Sequence, residues 1–343
     1  MERHEKTMKL IGAPARIDQK TYAVFDGGEH QKDLAGLCGE LLSHQKKTWP
    51  DCEQGYEFLR DMVVRDISCG EFSVRVQHNP GRIKSTLADV RKQAVNDRPC
   101  FLCLNHLPEK QRGILYRNEY LILCNPMPVF PFHFTVSRVD HRPQAVTGNI
   151  GTLLQLSADF GQDWTVLYNG PRCGASAPDH LHFQVVAAGQ MPVEKEIHGN
   201  DGSPLMAELD GVLVCSAKNL GREIVILEAG NIAALVNTFD DFLKALKKIL
   251  LLDEEPMINV AAFHADHNWR LLIFPRRRHR PEAFFRSGDD RVAVSPAVIE
   301  MGGVLVTPFQ RDFERLDEDG VKGIYREVSL EGEIVQKAVD RLV

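Results

Sequence analysis

Residues 169–186, NGPRCGASAPDHLHFQVV, place His180 and His182 one residue apart, with Gln184 two places further on. Alternate residues of a β-strand face the same side, so a strand here would project all three polar groups into one site. The flanking residues predict that strand. Residues 165–168 are apolar and β-prone, residues 169–179 are rich in turn formers, and residues 181–188 are apolar and β-branched apart from their polar members. The segment reads as a hairpin closed by a glycine-containing loop.

Gly170, Gly174, Ala175 and Ser176 leave the loop's backbone amides free of bulky side chains, which suits an anion. A neutral imidazole attacks phosphorus near neutral pH, and a histidine adduct divides one hard displacement into two easier ones. His182 is the candidate nucleophile. Gln184 is the candidate donor to a phosphoryl oxygen, and Ser176 with the loop amides would hold charge that develops in the transition state. A bare HxH also suits metal binding or a solvated face. Gln184 and the Gly-Ala-Ser loop favour the catalytic reading.

These residues resemble the histidine triad-like superfamily of nucleotidyltransferases and phosphorylases. The HLHFQ run, preceded by GAS and a proline, is similar to the signature of the GDP-hexose phosphorylases and the diadenosine tetraphosphate phosphorylases. Galactose-1-phosphate uridylyltransferase is a more distant relative. Residues 121–141, LILCNPMPVFPFHFTVSRVDH, and residues 295–316, SPAVIEMGGVLVTPFQRDFERL, resemble two further segments of the phosphorylases.

The resemblance implies that His182 carries a nucleotidyl group as a phosphoramidate, which inorganic phosphate then takes, and that Gln184 touches the phosphoryl oxygens. Asn125 and His133 match positions near the nucleotide, although His133 equally suits packing beneath the site. Asn169 and Gly174 are carried as substrate-binding residues with them. Asp179 intervenes between Pro178 and the histidine pair, a departure from the diadenosine phosphorylases that favours the sugar-nucleotide side.

Cys100 and Cys103 form a C-x-x-C, a metal or redox motif more often than a disulfide where nothing else signals oxidation. A closed zinc site wants four sulfur or nitrogen ligands. His141 and His180 are the expected partners, a set similar to the zinc site of the uridylyltransferases, with a structural role. Two reduced core thiols are the alternative. His106 is a possible substitute ligand but fits a surface position, and Cys124 and Cys173 read as small buried residues.

The chain has 343 residues, enough for two domains or a fused pair of similar halves. Its 43% hydrophobic and 26% charged content is ordinary for a soluble protein. Residues 1–10 lack the apolar core of a signal peptide, and no apolar run approaches a membrane span. Eight scattered cysteines suit a reducing compartment, so cytoplasm is the expected location.

A net charge of −6 argues against general nucleic-acid binding. Two basic clusters remain. Asn79, Arg82, Lys84 and Ser85 surround a turn where phosphate contact is favoured, and residues 276–280, RRRHR, suit either phosphate steering or a solvated strand end.

Residues 133–144 align without a gap on residues 271–282, each ending in HRP and an acidic or amide residue, which points to an internal duplication. Helices are predicted over 30–47, 148–160 and 238–252. Strands are predicted over 72–77, 134–140, 212–215, 223–227 and 232–235, with a linker at 192–204. Trp164 and Trp269 read as core or rim.

The expected architecture is α+β: two fused histidine triad-like halves of antiparallel sheet flanked by helices. Residues 1–74 would form an N-terminal extension, 75–195 the catalytic half and 205–343 a non-catalytic half. The expected activity is nucleotidyl transfer through His182, as phosphorolysis of a nucleoside diphosphate sugar. Phosphorolysis of a dinucleoside polyphosphate, or a nucleotide-binding regulator without turnover, are the alternatives. No organic cofactor, nucleic acid or membrane partner is expected, and a homodimer is possible.

Overall fold

Period-two burial organises the molecule around one sheet. In the computed structural model, which describes residues 14–28, 33–199, 204–217 and 219–342, the strands are β1 (Thr21–Phe25), β2 (Val63–Ser68), β3 (Ser73–His78), β4 (Gly113–Tyr116), β5 (Tyr120–Cys124), β6 (His133–Arg138), β7 (Trp164–Asn169), β8 (His182–Ala187), β9 (Leu205–Leu209), β10 (Val212–Ala217), β11 (Ile224–Ala229), β12 (Ile258–Ala265), β13 (Asn268–Pro275) and β14 (Val304–Thr307). Eleven join in the order β1-β4-β5-β6-β8-β7-β12-β13-β11-β10-β9, and β14-β3-β2 form a second sheet. Pairing in the large sheet is antiparallel except between β1 and β4.

The expected pair of fused halves is present. The first runs β4-β5-β6, helix Ile150–Phe160, β7-β8; the second runs β9-β10-β11, helix Ile232–Ile249, β12-β13. Their sheets meet edge to edge where β7 pairs antiparallel with β12, Asn169 opposite Asn259. The strand order thus repeats between the halves, but the alignment of residues 133–144 on 271–282 is corrected. Position in the half-sheets matches β6 with β11 and β8 with β13, so the two HRP segments follow non-equivalent strands.

Each face of the sheet carries its own core. Phe134, Val136, Tyr168, Phe183 and Val260 pack on one side beneath helices Leu34–Thr48, Ile150–Phe160 and Ile232–Ile249. Leu167, Val186, Ala261 and Leu272 pack on the other, against β3, β14 and helix Glu318–Val328. His133, Thr135, His182, Gln184, Asn169 and Asn259 alternate onto this second side.

Local chemistry corrects two sequence expectations. Residues 232–235 are the start of a helix, not a strand: the Asn231 side chain accepts from Ala233 N and Ala234 N at 2.9 and 3.1 Å, a cap that contributes about 1 kcal/mol. Ile232 and Leu235 also have helical spacing. The linker expected over 192–204 opens as helix Pro192–Gly199, with Val193 buried; residues 200–203 lie outside the described residues. The helix expected over 30–47 is observed as Leu34–Thr48, and residues 30–32 also lie outside them. Among the described residues, no helix is long and apolar enough to cross a membrane.

Candidate active site

A cavity of about 960 Å³ opens on the second face, between β6-β8-β7 and the segments laid across them. Its floor holds Thr135, Asn169, His182 and Gln184. Gly174 and Ser176 come from the β7–β8 loop, and Asn79, Arg82, Lys84 and Ser85 from the turn after β3. Asn125 lies in the turn after β5, and Ala297, Ile299 and Glu300 belong to residues 295–316, a segment that closes over the cavity.

His182 begins β8 with its ring fixed in one tautomer. Nδ1 lies 2.8 Å from the His180 carbonyl, which only accepts, so Nδ1 carries the proton and Nε2 keeps its lone pair. Burial pushes its pKa down to about 4. The backbone is held by Gln144, whose Oε1 accepts from His182 N at 2.8 Å and whose Nε2 donates to the His182 carbonyl at 3.0 Å.

The three-residue projection expected from HxHxQ is corrected. The strand starts only at His182, and His180 sits in a turn, its N–H on the Ala177 carbonyl. Strand alternation therefore does not apply to it. Its ring faces Cys100, Cys103 and His141 instead of the cavity. His180 Nδ1 lies 3.3 Å from Cys100 Sγ, 3.6 Å from Cys103 Sγ and 3.3 Å from His141 Nδ1, and Cys103 Sγ is 3.2 Å from His141 Nδ1.

The four ligand atoms all lie within 4.8 Å of one another, and a tetrahedral ion with bonds of roughly 2.0–2.3 Å sets its ligands roughly 3.3–3.8 Å apart. His180 Nε2 donates to the Arg138 carbonyl at 2.7 Å, which leaves Nδ1 for a metal. These residues fit a metal site. His106 is exposed and turns its Nδ1 to the Cys100 carbonyl at 2.9 Å, outside the cluster. Cys124 and Cys173 are fully buried.

His133 is placed beneath the cavity and does not line it. Its Nδ1 accepts from Val129 N at 3.1 Å, and its Nε2 reaches Gln184 Oε1 at 3.2 Å. Burial, then the nearby Arg82 cation, lower its pKa to about 3. Asn125 Oδ1 caps Met127 N at 2.9 Å, and Asn79 Nδ2 donates to the Pro128 carbonyl at 3.3 Å.

Arg82 donates from NH1 to the Met127 carbonyl at 2.6 Å, while its Nε is buried without a partner among the described residues. Arg98 is similar: NH2 holds the Ser176 carbonyl at 2.9 Å and NH1 has no partner among the described residues. Asp179 lies 3.7 Å from Arg98, so the residue inserted before the histidine pair ties that cation to the loop.

Sequence reasoning missed Arg98, Phe58, Phe101 and Glu300, all of which line the cavity. Phe101 was the most accessible of them, lying inside the C-x-x-C. Burial raises the Glu300 pKa, although its carboxylate accepts from Ala297 N at 2.9 Å. Gly174 adopts φ +117°, and a Cβ there would come within 2.4 Å of Ala297 Cβ, so only glycine lets the loop touch the closing segment.

None of residues 276–280 lines the cavity, and the solvated strand end expected there is met by Arg277 and Arg278, which are exposed, but not by Arg276. Arg276 is 2% exposed. Arg277 pairs with Glu331, Arg278 with Glu282 and Glu327, and Arg280 donates to the carbonyls of Thr86 and Ala88.

Residues 41–187 match the family described as Domain of unknown function (DUF4922), and residues 205–342 match the family described as GDPGP1-like, C-terminal domain. No curated protein sequence matches the chain. Yeast Ap4A phosphorylase Apa2 in complex with AMP superposes with a TM-score of 0.59 at 15% identity, over 88% of this chain and 97% of that one. The same protein in complex with Ap4A gives 0.53 at 14% identity, over 88% and 98%. The histidine triad-like fold expected from the HLHFQ segment is thus the fold of this chain.

Proposed function

We propose that this chain, with a histidine triad-like phosphorylase fold and a GDPGP1-like C-terminal domain, is a nucleotidyltransferase that phosphorolyses a nucleoside diphosphate sugar through His182. The observation that carries the reading is the His182 tautomer: Nδ1–H is committed to the His180 carbonyl, and the Nε2 lone pair is left to a cavity large enough for such a substrate.

In the first step Nε2 attacks the phosphorus next to the nucleoside, the bond to the bridging oxygen breaks, and sugar 1-phosphate leaves with its electron pair. The imidazolium that forms keeps its Nδ1 proton on the His180 carbonyl. In the second step an oxygen of inorganic phosphate attacks the same phosphorus, the P–N bond breaks, and Nε2 recovers its lone pair as nucleoside diphosphate departs. Gln184 Nε2, Ser176 Oγ and the amides around Gly174 would stabilise the added charge in both steps. The orphan donors of Arg82 and Arg98, with Lys84 and Ser85, suit the flanking phosphate. Asn79, Asn125 and Asn169 would complete the nucleotide's contacts.

Zinc held by Cys100, Cys103, His141 and His180 would be structural, fixing the turn that precedes β8. Residues 75–195 would act as the catalytic half, residues 205–343 as its non-catalytic partner and residues 1–74 as an extension packed on them. Cytoplasm is the proposed location.

A dinucleoside polyphosphate is the second reading, favoured by the likeness to Apa2. The test is product analysis after incubation with phosphate and a panel of nucleoside diphosphate sugars and dinucleoside polyphosphates. Nucleoside diphosphate plus sugar 1-phosphate supports the first reading, and nucleoside diphosphate from a dinucleotide supports the second. Tight nucleotide binding without any product would instead identify a regulatory protein.

A further inference from the structure

The buried Arg276 commits all its hydrogen-bond donors inside the protein. Nε donates to the Val328 carbonyl, NH1 to the Pro296 carbonyl and to Asn259 Oδ1, and NH2 to the carbonyls of Arg278 and His279. A guanidinium has five N–H groups and no acceptor, so none remains for a ligand. Among the described residues Arg276 has no ion-pair partner, and a buried cation without a carboxylate costs stability. Its neighbours indicate what it orients.

Because Arg276 can only donate, Asn259 must turn Oδ1 toward it and Nδ2 away. Nδ2 then donates to the Cys173 carbonyl at 2.7 Å and across the seam to Asn169 Oδ1 at 2.9 Å. Asn169 Oδ1 also accepts from Val298 N at 2.7 Å. Its own Nδ2 has no protein partner among the described residues, and Asn169 lines the cavity. The two orientations of an amide side chain are nearly identical in shape, so hydrogen-bond partners decide between them.

We propose that Arg276 and Asn259, both in the half that lacks the catalytic histidine, are positioning residues that hold the Asn169 amide with its N–H groups toward a phosphoryl oxygen of the bound nucleotide. This rests on the reading that the cavity takes a nucleotide. The second half thereby contributes to the site through a directional chain across the β7–β12 seam, besides supporting the sheet.

The test uses the full chain, calorimetric titration with ADP and GDP, and thermal unfolding of Asn259→Asp and Asn259→Ala. Aspartate gives Arg276 a carboxylate but sets an acceptor against Asn169 Oδ1, so the amide is pushed away from the orientation that the Val298 N–H alone still favours. Alanine leaves Arg276 with an unmet donor but adds no such repulsion. Stability should therefore fall in the order wild type, Asp, Ala, whereas nucleotide affinity should fall in the order wild type, Ala, Asp, with the Asp variant weaker by about tenfold or more.

In an Asn169→Ala background, Asn259→Asp should have no further effect on affinity. Affinity that follows stability, or an effect of Asn259→Asp that survives in Asn169→Ala, would overturn the positioning role while wild-type binding stands. Failure of the wild type to bind either nucleotide would remove the cavity reading and this inference together.

Discussion

His133 and Gln184 are joined by a hydrogen bond whose direction is fixed from behind. Val129 N, a backbone donor, sits 3.1 Å from His133 Nδ1, so the proton of this neutral ring is on Nε2, 3.2 Å from Gln184 Oε1. Gln184 is thereby held with its NH₂ toward the cavity. Of the two sequence expectations for His133, contact near the nucleotide or packing beneath the site, its place under Gln184 favours the second, with the ring orienting the glutamine.

Replacing His133 with Phe keeps the ring but frees the glutamine amide. The expected result is a transfer rate lower by roughly tenfold, whereas Gln184→Glu, which puts a carboxylate beside the phosphate, should lose roughly 100-fold or more. Single-turnover rates at saturating substrate check both. Equal rates in wild type and His133→Phe would leave the ring with a packing role alone.

Acid should destabilise the fold through buried neutral histidines. Burial and then Arg82 lower His133, and burial, Arg280 and Arg276 lower His279, each to about 3, against about 6.5 in an unfolded chain. Below about pH 6.5 the unfolded state therefore binds protons that the folded state refuses. The stability is present above that pH and is lost as pH falls toward 3, at about 1.4 kcal/mol per pH unit for each group. Denaturant midpoints measured between about pH 7.5 and 5 should fall, and His279→Gln should remove roughly one proton from the slope. An unchanged slope in that variant would contradict the assignment.

The Cys100, Cys103, His141 and His180 cluster should carry about one zinc per chain by elemental analysis. Chelation, or Cys103→Ser, should lower the melting temperature by several degrees. The cavity wall should loosen as well, because Phe101 and Leu102 line it from between the two cysteines. Protein purified without zinc and unaffected by a chelator would leave the cluster as reduced thiols beside two histidines.

The parts of this molecule with strong local signals were readable in the sequence. The 169–186 hairpin, the helix before it and the C-x-x-C each depend on residues close together in the chain, and turn formers or strict spacing mark them. His180 was misread because period-two alternation applies only inside a strand, and β8 starts at His182, two residues after the His180 that the strand reading included. Residues 232–235 were misread because Ile-Ala-Ala-Leu suits a strand or a helix, and Asn231 decides for the helix.

The role of Arg276 was beyond reach for a different reason. Among five consecutive basic residues nothing distinguishes the one that is buried until β13 is paired with β11 and β12. Glu300 and Arg98 likewise acquire meaning only when residues far apart in sequence close over one cavity.

Covalent catalysis by His182 is decided by the intact mass of the full chain, incubated with nucleoside diphosphate sugars or dinucleotides in the absence of phosphate and denatured at alkaline pH. The expected result is added mass equal to one nucleotidyl group, lost on adding phosphate and absent from His182→Ala. No added mass from any donor, in protein that binds the same nucleotides, would contradict covalent catalysis by His182.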